Sequence, residues 1–363
     1  MTVAAIAHRG LGRLRHSAAA RRTLVIGLAV LLLLVMTLAA TIGAAGIPVR
    51  RLPAALGWLS ADGDSAFLAR DRLVLWTIRL PRIAMAAMVG ALLAAAGAIM
   101  QGLFRNPLAD PALVGVAGGG ALAAAAVIVI GDRLLAESGM SLPFWLLPAA
   151  AFGGSLLATV LLYRIATHEN RTSIAVFLLG GLAIAALSNA GIGMLVFTAD
   201  DRQLRDMTFW MLGSISGATW NKVAILTPFL VAMLALVPSI GRGLDLLVLG
   251  ESEAFHMGVE VERLKRRAIV LVSAMTGAAV SFAGIIGFVG IIVPHLLRLV
   301  LGPGHRILLP ASAMLGAILL LGADTLARTL AAPAEVPIGI LTAILGAPVF
   351  LSILLRQRGL TGL

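Results

Sequence analysis

Residues 82–103 read RIAMAAMVGALLAAAGAIMQGL, and no charged residue follows Arg82 until Arg105. An α-helix needs about 20 predominantly apolar residues to cross the hydrocarbon core of a bilayer. The stretch has that length, and its many Gly and Ala residues suit the close helix–helix approach that occurs in membranes. The segment therefore predicts a buried membrane-spanning helix.

The rest of the chain has the same character. Its 363 residues are 60% hydrophobic and 12% charged, with a mean hydropathy of +1.02. Soluble domains carry about 25% charged residues, so lipid must be the main solvent of this chain. The sequence predicts an all-α membrane protein in which residues 1–363 form one domain. About ten spans satisfy the length rule, near residues 24–43, 82–103, 113–131, 143–163, 173–198, 222–240, 266–287, 288–301, 306–328 and 338–356.

Two of these spans need special geometry. The eighth span is short for a full crossing, and it follows the seventh directly at Gly287 to Gly290. We expect a tight turn or half-helix there, because non-helical backbone at membrane depth must be covered by other protein.

The basic residues predict how the chain is oriented. The N-terminal segment 1–23 is rich in Arg and could be the start of a cleaved signal peptide, but an uncleaved first helix fits its long basic lead better. With this segment inside, 17 of the 28 Lys and Arg residues fall on the inner side and 11 on the outer. Positive residues favour the cytoplasmic side. Both termini are therefore predicted in the cytoplasm, in a bacterial inner membrane. The net charge of +11 follows from this topology, and no nucleic-acid partner is expected.

The chain contains no recognisable energy source of its own. Its two lysines, Lys222 and Lys265, cannot complete a G-x-x-x-x-G-K-[ST] phosphate loop. Nearly all charges lie at predicted span ends, whereas ion-coupled transporters place ionisable residues within spans. No His, Asp or Glu cluster has metal-ligand spacing, and there is no Cys, so no metal and no bound cofactor is expected. The driving force is therefore predicted to come from another subunit.

Two polar segments are candidates for partner contacts. The inner segment 241–267, GRGLDLLVLGESEAFHMGVEVERLKRR, has Gly250 and Gly258 on either side of a short amphipathic stretch. It predicts a short helix across the membrane face that contacts a soluble partner. An ordinary connecting loop explains the pattern equally well. The outer segment 199–221 contains Phe209, Trp210 and Trp220, which are typical of a short helix at the membrane interface.

An ordered series of motifs covers roughly residues 75 to 355. They are RLPR at 79–82, GAIMQG at 97–102, RNPLADP at 105–111, WMLGS at 210–214, LGE at 249–251 with Ala254 and Gly258, GIIGFVGIIVPHLLR at 284–298, His305-Arg306, Pro310, Asp324, Arg328, EVPIG at 335–339 and GAPVF at 346–350. The series resembles the FecCD family, the permeases of type II ABC importers for iron-siderophores, haem and cobalamin.

This resemblance implies the type II ABC importer permease fold and a set of partners. A second copy of the chain would complete a dimer of ten-helix subunits around one pathway in the membrane lipid. Two cytoplasmic ABC ATPase subunits would hydrolyse ATP-Mg, so the chain itself would not be an enzyme. They would dock on the coupling segment, at Leu249, Gly250, Glu251, Ala254 and Gly258. A periplasmic or lipid-anchored substrate-binding protein would dock outside.

The resemblance also assigns roles at the outer side. Matching arginines in the family receive glutamates of the binding protein, which implies docking at Arg79, Arg82 and Arg328. Snorkelling of these side chains, or pairing of Arg328 with Asp324, is the alternative. Arg205 would lie near the mouth of the pathway and attract anionic cargo, or else pair with Asp201 or Asp206.

At the inner side, Thr172 and Ser173 resemble the family's gate region, although small hydroxyl residues equally suit a helix cap. Asn106, Pro107, Asp110 and Pro111 form a two-proline turn whose role is predicted to be structural. Glu251 could pair with a basic residue of the ATPase or simply face solvent.

The function predicted from these features is ATP-driven import of an iron chelate. The outer segment TFWMLGS, followed by GATW, is most similar to haem permeases. Ferric siderophores follow closely, and cobalamin comes third. A stand-alone secondary transporter or channel, and a membrane scaffold or sensor, are the alternatives from other classes.

Overall fold

The computed structural model describes residues 18–43, 46–58, 65–111, 115–137, 143–169 and 171–361. The start of the predicted segment 1–23 lies outside this range. The described chain is almost entirely helical, as predicted. Its helices are α1 (Ala18–Thr41), α2 (Leu52–Leu56), α3 (Ser65–Val74), α4 (Leu80–Leu103), α5 (Val116–Ala126), α6 (Asp132–Glu137), α7 (Leu146–Ala166), α8 (Ile174–Thr198), α9 (Asp201–Leu212), α10 (Trp220–Leu247), α11 (Glu251–His256), α12 (Val261–Ala283), α13 (Val289–Leu301), α14 (His305–Leu330) and α15 (Ile338–Thr361).

Among the described residues, nine helices are long and apolar enough to cross a membrane, and α13 is a shorter apolar helix. This confirms the predicted set of about ten spans with a short eighth member. A short antiparallel hairpin connects α7 to α8, and each of its strands, β1 (Thr167–His168) and β2 (Arg171–Thr172), has two residues. No feature of the sequence indicated this hairpin.

The predicted start of the second span was wrong. Helical structure runs without interruption from Phe67 to Leu103, through a π-helical turn at Leu75–Arg79 that joins α3 to α4. Residues 65–81 were expected in an outer loop because they contain several charges. Of these charges, Asp71 is 1% exposed and pairs with Arg51 at 3.2 Å and Arg70 at 3.1 Å, while Arg70 and Arg72 are exposed.

Helices extend into both ends of the predicted coupling segment 241–267. Helix α10 continues through Pro228 and Pro238 to Leu247, and α12 already begins at Val261. Only residues 248–260 therefore connect the two long helices, and α11 lies within this connection. Proline usually ends a helix, but neighbouring helices can compensate for the lost hydrogen bond in membrane helices.

Helix α4 is the centre of the bundle, and almost all of its residues are buried. It packs most extensively on α14, and also on α10, α12 and α13. Glycine allows two of these contacts: a Cβ at Gly90 would lie 2.2 Å from the carbonyl oxygen of Gly316, and one at Gly97 would lie 1.9 Å from that of Gly290. The backbones touch because no side chain separates them.

The junction between α12 and α13 is non-helical over residues 284–288. A Cβ at Gly284 would lie 2.1 Å from the carbonyl oxygen of Trp210, at the C-terminal part of α9, and the amide of Ser214 donates to Ala283 O at 2.9 Å. The expected break is therefore covered by other parts of the protein, as non-helical backbone at this depth requires.

Helices α1, α8 and α15 lie at the periphery and expose apolar side chains. On α8, Leu187 and Met194 are each 72% exposed and Phe197 is 89% exposed. Such faces are stable only against lipid or another protein.

Candidate functional site: the coupling helix and the outer arginine cluster

Helix α11 is a short helix that lies between two glycines, both with a positive φ angle. Gly250 has φ 120° and Gly258 has φ 86°. The helix ends in a Schellman motif, in which Gly258 N donates to Phe255 O at 2.9 Å and Val259 N donates to Ala254 O at 3.0 Å. The glycine spacing thus produces the short helix that the sequence predicted, rather than an ordinary loop.

The two faces of this connection differ sharply. Ala254 is completely buried, whereas Leu249, Phe255 and Met257 are 62%, 66% and 57% exposed. We call these three residues the α11 apolar patch. The patch is at the end of the bundle, in the connection between α10 and α12, near Glu251. Exposed apolar groups rimmed by polar ones are typical of a protein–protein contact.

A buried lysine attaches α11 to the bundle. Lys265 is 3% exposed, and its Nζ donates to Glu251 Oε2 at 2.8 Å, to Glu262 Oε1 at 2.9 Å and to Thr172 O at 3.1 Å. Glu262 Oε2 in turn accepts from Thr172 N at 2.9 Å. We call these four residues the Lys265 cluster. It joins α11, α12 and the hairpin before α8.

The Lys265 cluster changes the interpretation of Glu251. Its Oε2 pairs with Lys265 within the chain while 41% of its side chain is exposed, so pairing with a basic residue of the ATPase stays a prediction. Sequence reasoning considered Lys265 only as a lysine outside any phosphate loop. The i,i+3 spacing of Glu262 and Lys265 was visible, but the contacts with Glu251 and Thr172 depend on the tertiary fold.

The proposed gate residues Thr172 and Ser173 lie directly beside this cluster. Thr172 is buried, and its Oγ1 is 3.1 Å from Oγ1 of Thr167 across the hairpin. Ser173 is the N-cap of α8, with its Oγ accepting from Val176 N at 3.4 Å. The cap that the sequence allowed is therefore present, and a gating role stays a prediction.

At the opposite end of the bundle, three arginines form a buried cluster. Arg82 binds Asp324 through Nε and Nη2 at 2.8–3.1 Å, and binds Glu335 through Nη1 and Nη2 at 2.7 and 3.0 Å. Arg328 lies 3.7 Å from Asp324 and donates to Ala39 O at 2.7 Å. The guanidinium fork of Arg82 thus engages two carboxylates at once.

The sequence placed Arg79, Arg82 and Arg328 at outer ends of spans, where exposed side chains would be expected. Arg79 and Arg82 instead lie inside the long α3–α4 helical unit and are 4% and 8% exposed, and Arg79 donates to Ala40 O. The pairing of Arg328 with Asp324 that the sequence allowed is present. Docking of a binding protein on these arginines stays a prediction.

Helix α9 carries the predicted mouth residue. Its N-terminus is fixed by a capping box between Asp200 and Gln203. Arg205 is exposed and forms no ion pair within the described part of the chain, while Arg202 pairs with Asp206 at 3.8 Å and Asp132 at 3.5 Å. The alternative partners considered for Arg205 are therefore not used.

The RNPLADP turn connects the end of α4 to α5. Asn106 Oδ1 accepts from Leu108 N at 2.9 Å, which is an Asx turn, and Pro111 packs against Gly290. Pro107 and Asp110 are half-buried in the same turn. Gln101, one turn earlier, donates to the carbonyl oxygens of Gly290 and Ile291 at 3.3 and 3.1 Å. The arrangement fixes α4 against α13.

No group of three or more His, Cys, Asp or Glu side chains in the described ranges is placed to hold a metal ion.

The FecCD transport family matches residues 28–356. The chain belongs to this family. It is 41% identical over 345 residues to the hemin transport system permease protein HmuU of Yersinia pestis, and the alignment covers 92% of this chain and 96% of that protein. It is 44% identical over 287 residues to the cobalamin import system permease protein BtuC of Halobacterium salinarum, and that alignment covers 79% of this chain and 74% of the other protein. A solved structure described as a metal-chelate type ABC transporter in an inward-facing conformation aligns with a TM-score of 0.79 and 29% identity, covering 92% of this chain and 99% of that one.

This FecCD permease is thus the multi-pass inner-membrane subunit of an ABC importer, with the type II importer permease fold. Permeases of this family are not catalytic themselves, and they work with an ATPase, a substrate-binding protein and a second permease copy.

Proposed function

We propose that this permease imports an iron chelate, with haem as the favoured cargo, and that α11 receives the ATPase. In this proposal two ABC ATPase subunits hydrolyse ATP-Mg, a second copy of the chain completes the pathway, and a periplasmic or lipid-anchored protein delivers the cargo. The α11 end of the bundle and both termini face the cytoplasm. The observation that carries the proposal is the α11 apolar patch, which is exposed on one side while the Lys265 cluster fixes the helix on the other.

The Lys265 cluster gives the coupling helix a direct connection to a membrane helix. A push on α11 moves Glu251, and Glu251 is held by the same ammonium group that holds Thr172, two residues before α8 begins. Helix α8 has few buried residues, so its movement disturbs little packing. The contacts therefore support transmission from the ATPase to α8, beside the proposed gate residues Thr172 and Ser173.

The choice of haem depends on the outer side. Arg205 is exposed on α9 without an internal ion pair among the described residues, which suits the propionates of haem and the negative charge of many ferric siderophores. The similar proteins include both a hemin permease and cobalamin permeases at comparable identity. Ferric siderophore is therefore the second candidate and cobalamin the third.

The test is transport by the reconstituted complex. Proteoliposomes containing the permease, its ATPase and its binding protein should accumulate haem only with ATP-Mg, and haem bound to the purified binding protein is detected by its absorbance. Preferential uptake of cobalamin or a siderophore would change the cargo assignment. Uphill uptake by the permease alone under an ion gradient would show a secondary transporter instead.

The docking surface has its own matched pair of variants. Phe255→Ala removes a 66% exposed ring from the α11 apolar patch, and Phe209→Ala removes a 55% exposed ring from α9 at the other end. Phe255→Ala should weaken ATPase binding at least tenfold, since buried aromatic anchors at interfaces typically contribute more than about 1–2 kcal/mol. Phe209→Ala should leave it unchanged. Equal ATPase affinity of both variants and the wild type would remove α11 from the interface.

A further inference from the structure

A basic cavity of about 720 Å³ lies at the α11 end of the bundle, between α1, α13 and α14. Three guanidinium groups line it, from Arg21, Arg298 and Arg306. Its remaining wall consists of Asp245, the apolar residues Leu301 and Ile307, and the turn 302–304. The proposed coupling function does not use this cavity.

The one carboxylate in the wall is already engaged. Asp245 Oδ1 accepts from the amide of His305 at 2.6 Å and from its Nδ1 at 2.8 Å. With Nδ1 donating, Nε2 of His305 is left to accept from Arg298 Nη2 at 3.3 Å. Asp245 therefore fixes the start of α14 and the ring of His305, and among the described residues it forms no ion pair with Arg298 or Arg306.

Arg298 and Arg306 have no acidic partner in the part of the chain that the structure describes. Arg298 is half-buried, its Nη2 lies 3.5 Å from Ala98 O, and its buried Nε has no hydrogen-bond partner among the described residues. Arg306 is exposed. A guanidinium at the edge of a low-dielectric bundle is costly without a counter-charge, so the site favours an anion.

A second cavity shows what kind of anion fits. Arg306 also lines a neighbouring cavity of about 610 Å³ between α10 and α14. Arg242 also lines this cavity, and its wall includes apolar residues of both helices, among them Leu234, Val237 and Leu309. A free phosphate ion would use only the basic part. A phospholipid would place its phosphate there and an acyl chain along the apolar groove.

We propose that these two cavities bind one anionic phospholipid, such as phosphatidylglycerol or cardiolipin, as a specific ligand. Its phosphodiester contacts Arg298 and Arg306, since the guanidinium fork matches phosphate oxygens. One acyl chain lies between α10 and α14. Basic pockets between membrane helices at the cytoplasmic level are typical sites for such headgroups. Only the choice of the inner leaflet depends on the orientation in the proposed function.

The test measures lipid retention by the purified permease. Native mass spectrometry after delipidation and titration should show one tightly retained phosphatidylglycerol, and much weaker retention of phosphatidylcholine. Arg306→Gln should weaken phosphatidylglycerol binding about fivefold, and Arg298→Gln combined with it about 25-fold. Arg306→Lys should bind with an affinity between those of Arg306→Gln and the wild type, because it keeps the charge without the guanidinium fork. Arg164→Gln, an exposed arginine at the end of α7, is the matched control and should bind like the wild type.

Three results would overturn the proposal. The first is equal phosphatidylglycerol retention by Arg306→Gln and the Arg164→Gln control. The second is equal retention of phosphatidylcholine and phosphatidylglycerol by the wild type. The third is displacement of the lipid by millimolar inorganic phosphate, which would show a free-anion site. Because Arg306 is exposed, its variants should fold normally. None of these results depends on ATPase docking or cargo, so they leave the proposed function untouched.

Discussion

Replacing Lys265 by Met tests whether α11 is mechanically joined to the hairpin before α8. The substitution keeps a similar length of chain and removes all three N–H donors that hold Glu251, Glu262 and Thr172. If the cluster is the connection, both α11 and the hairpin must open more often in the variant.

The size of the effect follows from the contacts. A hydrogen bond to a charged group contributes about 1.5–3 kcal/mol, and a neutral one about 1 kcal/mol. The full loss is reduced, because the side chains of Glu251 and Glu262 are 41% and 37% exposed and regain water when the lysine is absent. Met also suits the buried position. We therefore expect a net loss of about 2 kcal/mol, less than the 3–5 kcal/mol typical of a fully buried pair.

Hydrogen exchange measures this loss directly. A change of 2 kcal/mol corresponds to about 30-fold more frequent opening. Peptides that contain the hairpin and peptides that contain α11 should both exchange about 30-fold faster in Lys265→Met in lipid nanodiscs. Lys222→Met is the matched control, because Lys222 is the chain's other lysine and donates to Gly217 O at 2.7 Å near the α9 end.

Two outcomes would refute the mechanical connection. One is unchanged exchange in both peptides of Lys265→Met. The other is faster exchange of α11 alone, which would mean that Lys265 anchors the coupling helix without connecting it to α8. In the reconstituted importer the variant should also transport less cargo per ATP hydrolysed, while Lys222→Met should keep the wild-type ratio.

Three further predictions concern stability, each measured by thermal unfolding in detergent. Gly97→Ala should lower the free energy of unfolding by at least about 2 kcal/mol, because the new Cβ would lie 1.9 Å from a backbone carbonyl oxygen. Gly153→Ala is the control and should not destabilise, because a Cβ there meets nothing within 4 Å. Equal stability of the two variants would contradict the close α4–α13 contact. Arg82→Met should lower the free energy of unfolding by about 3–5 kcal/mol, because buried Asp324 would keep only the weaker contact with Arg328. A wild-type melting temperature would show that the Arg82–Asp324 pair is replaceable. Asp200→Ala should cost about 1 kcal/mol through loss of the α9 cap, and an unchanged melting temperature would show that packing alone holds α9.

The spans were predictable because hydrophobic length is a local property of the sequence. The same rule failed at residues 65–81, where Arg70, Asp71 and Arg72 indicated a loop. Pairing lowers the cost of burying a charge in a membrane helix. Asp71 is paired with Arg51, which belongs to a separate short helical segment, so the pairing could not be seen in the local pattern.

The candidate site also combines local features that the sequence predicts with long-range contacts that it does not predict. The glycines at 250 and 258 act locally, so α11 and its Schellman end could be predicted from spacing. The contacts that give α11 a role are not local. Lys265 reaches Glu251 across 14 positions and Thr172 across 93, and Arg82 reaches Asp324 across 242. A single sequence contains no signal for such pairs, because any acidic residue at a helix end is an equally good candidate.

These long-range pairs also indicate which part of the permease moves. Helix α4 contacts α13 and α14 through glycine backbones, and the bidentate Arg82–Asp324 pair fixes α4 to α14 at the α9 end. Such contacts allow little sliding, since close-packed backbones have one good arrangement. Helix α8 has few buried residues, and its start is attached to α11 through Thr172. Movement that begins at the ATPase should therefore displace α8 against a static α4–α13–α14 core. Spin labels on α8 should change distance to labels on α14 during the ATP cycle, while α4 and α14 should keep theirs; a change between α4 and α14 would show that the core itself rearranges.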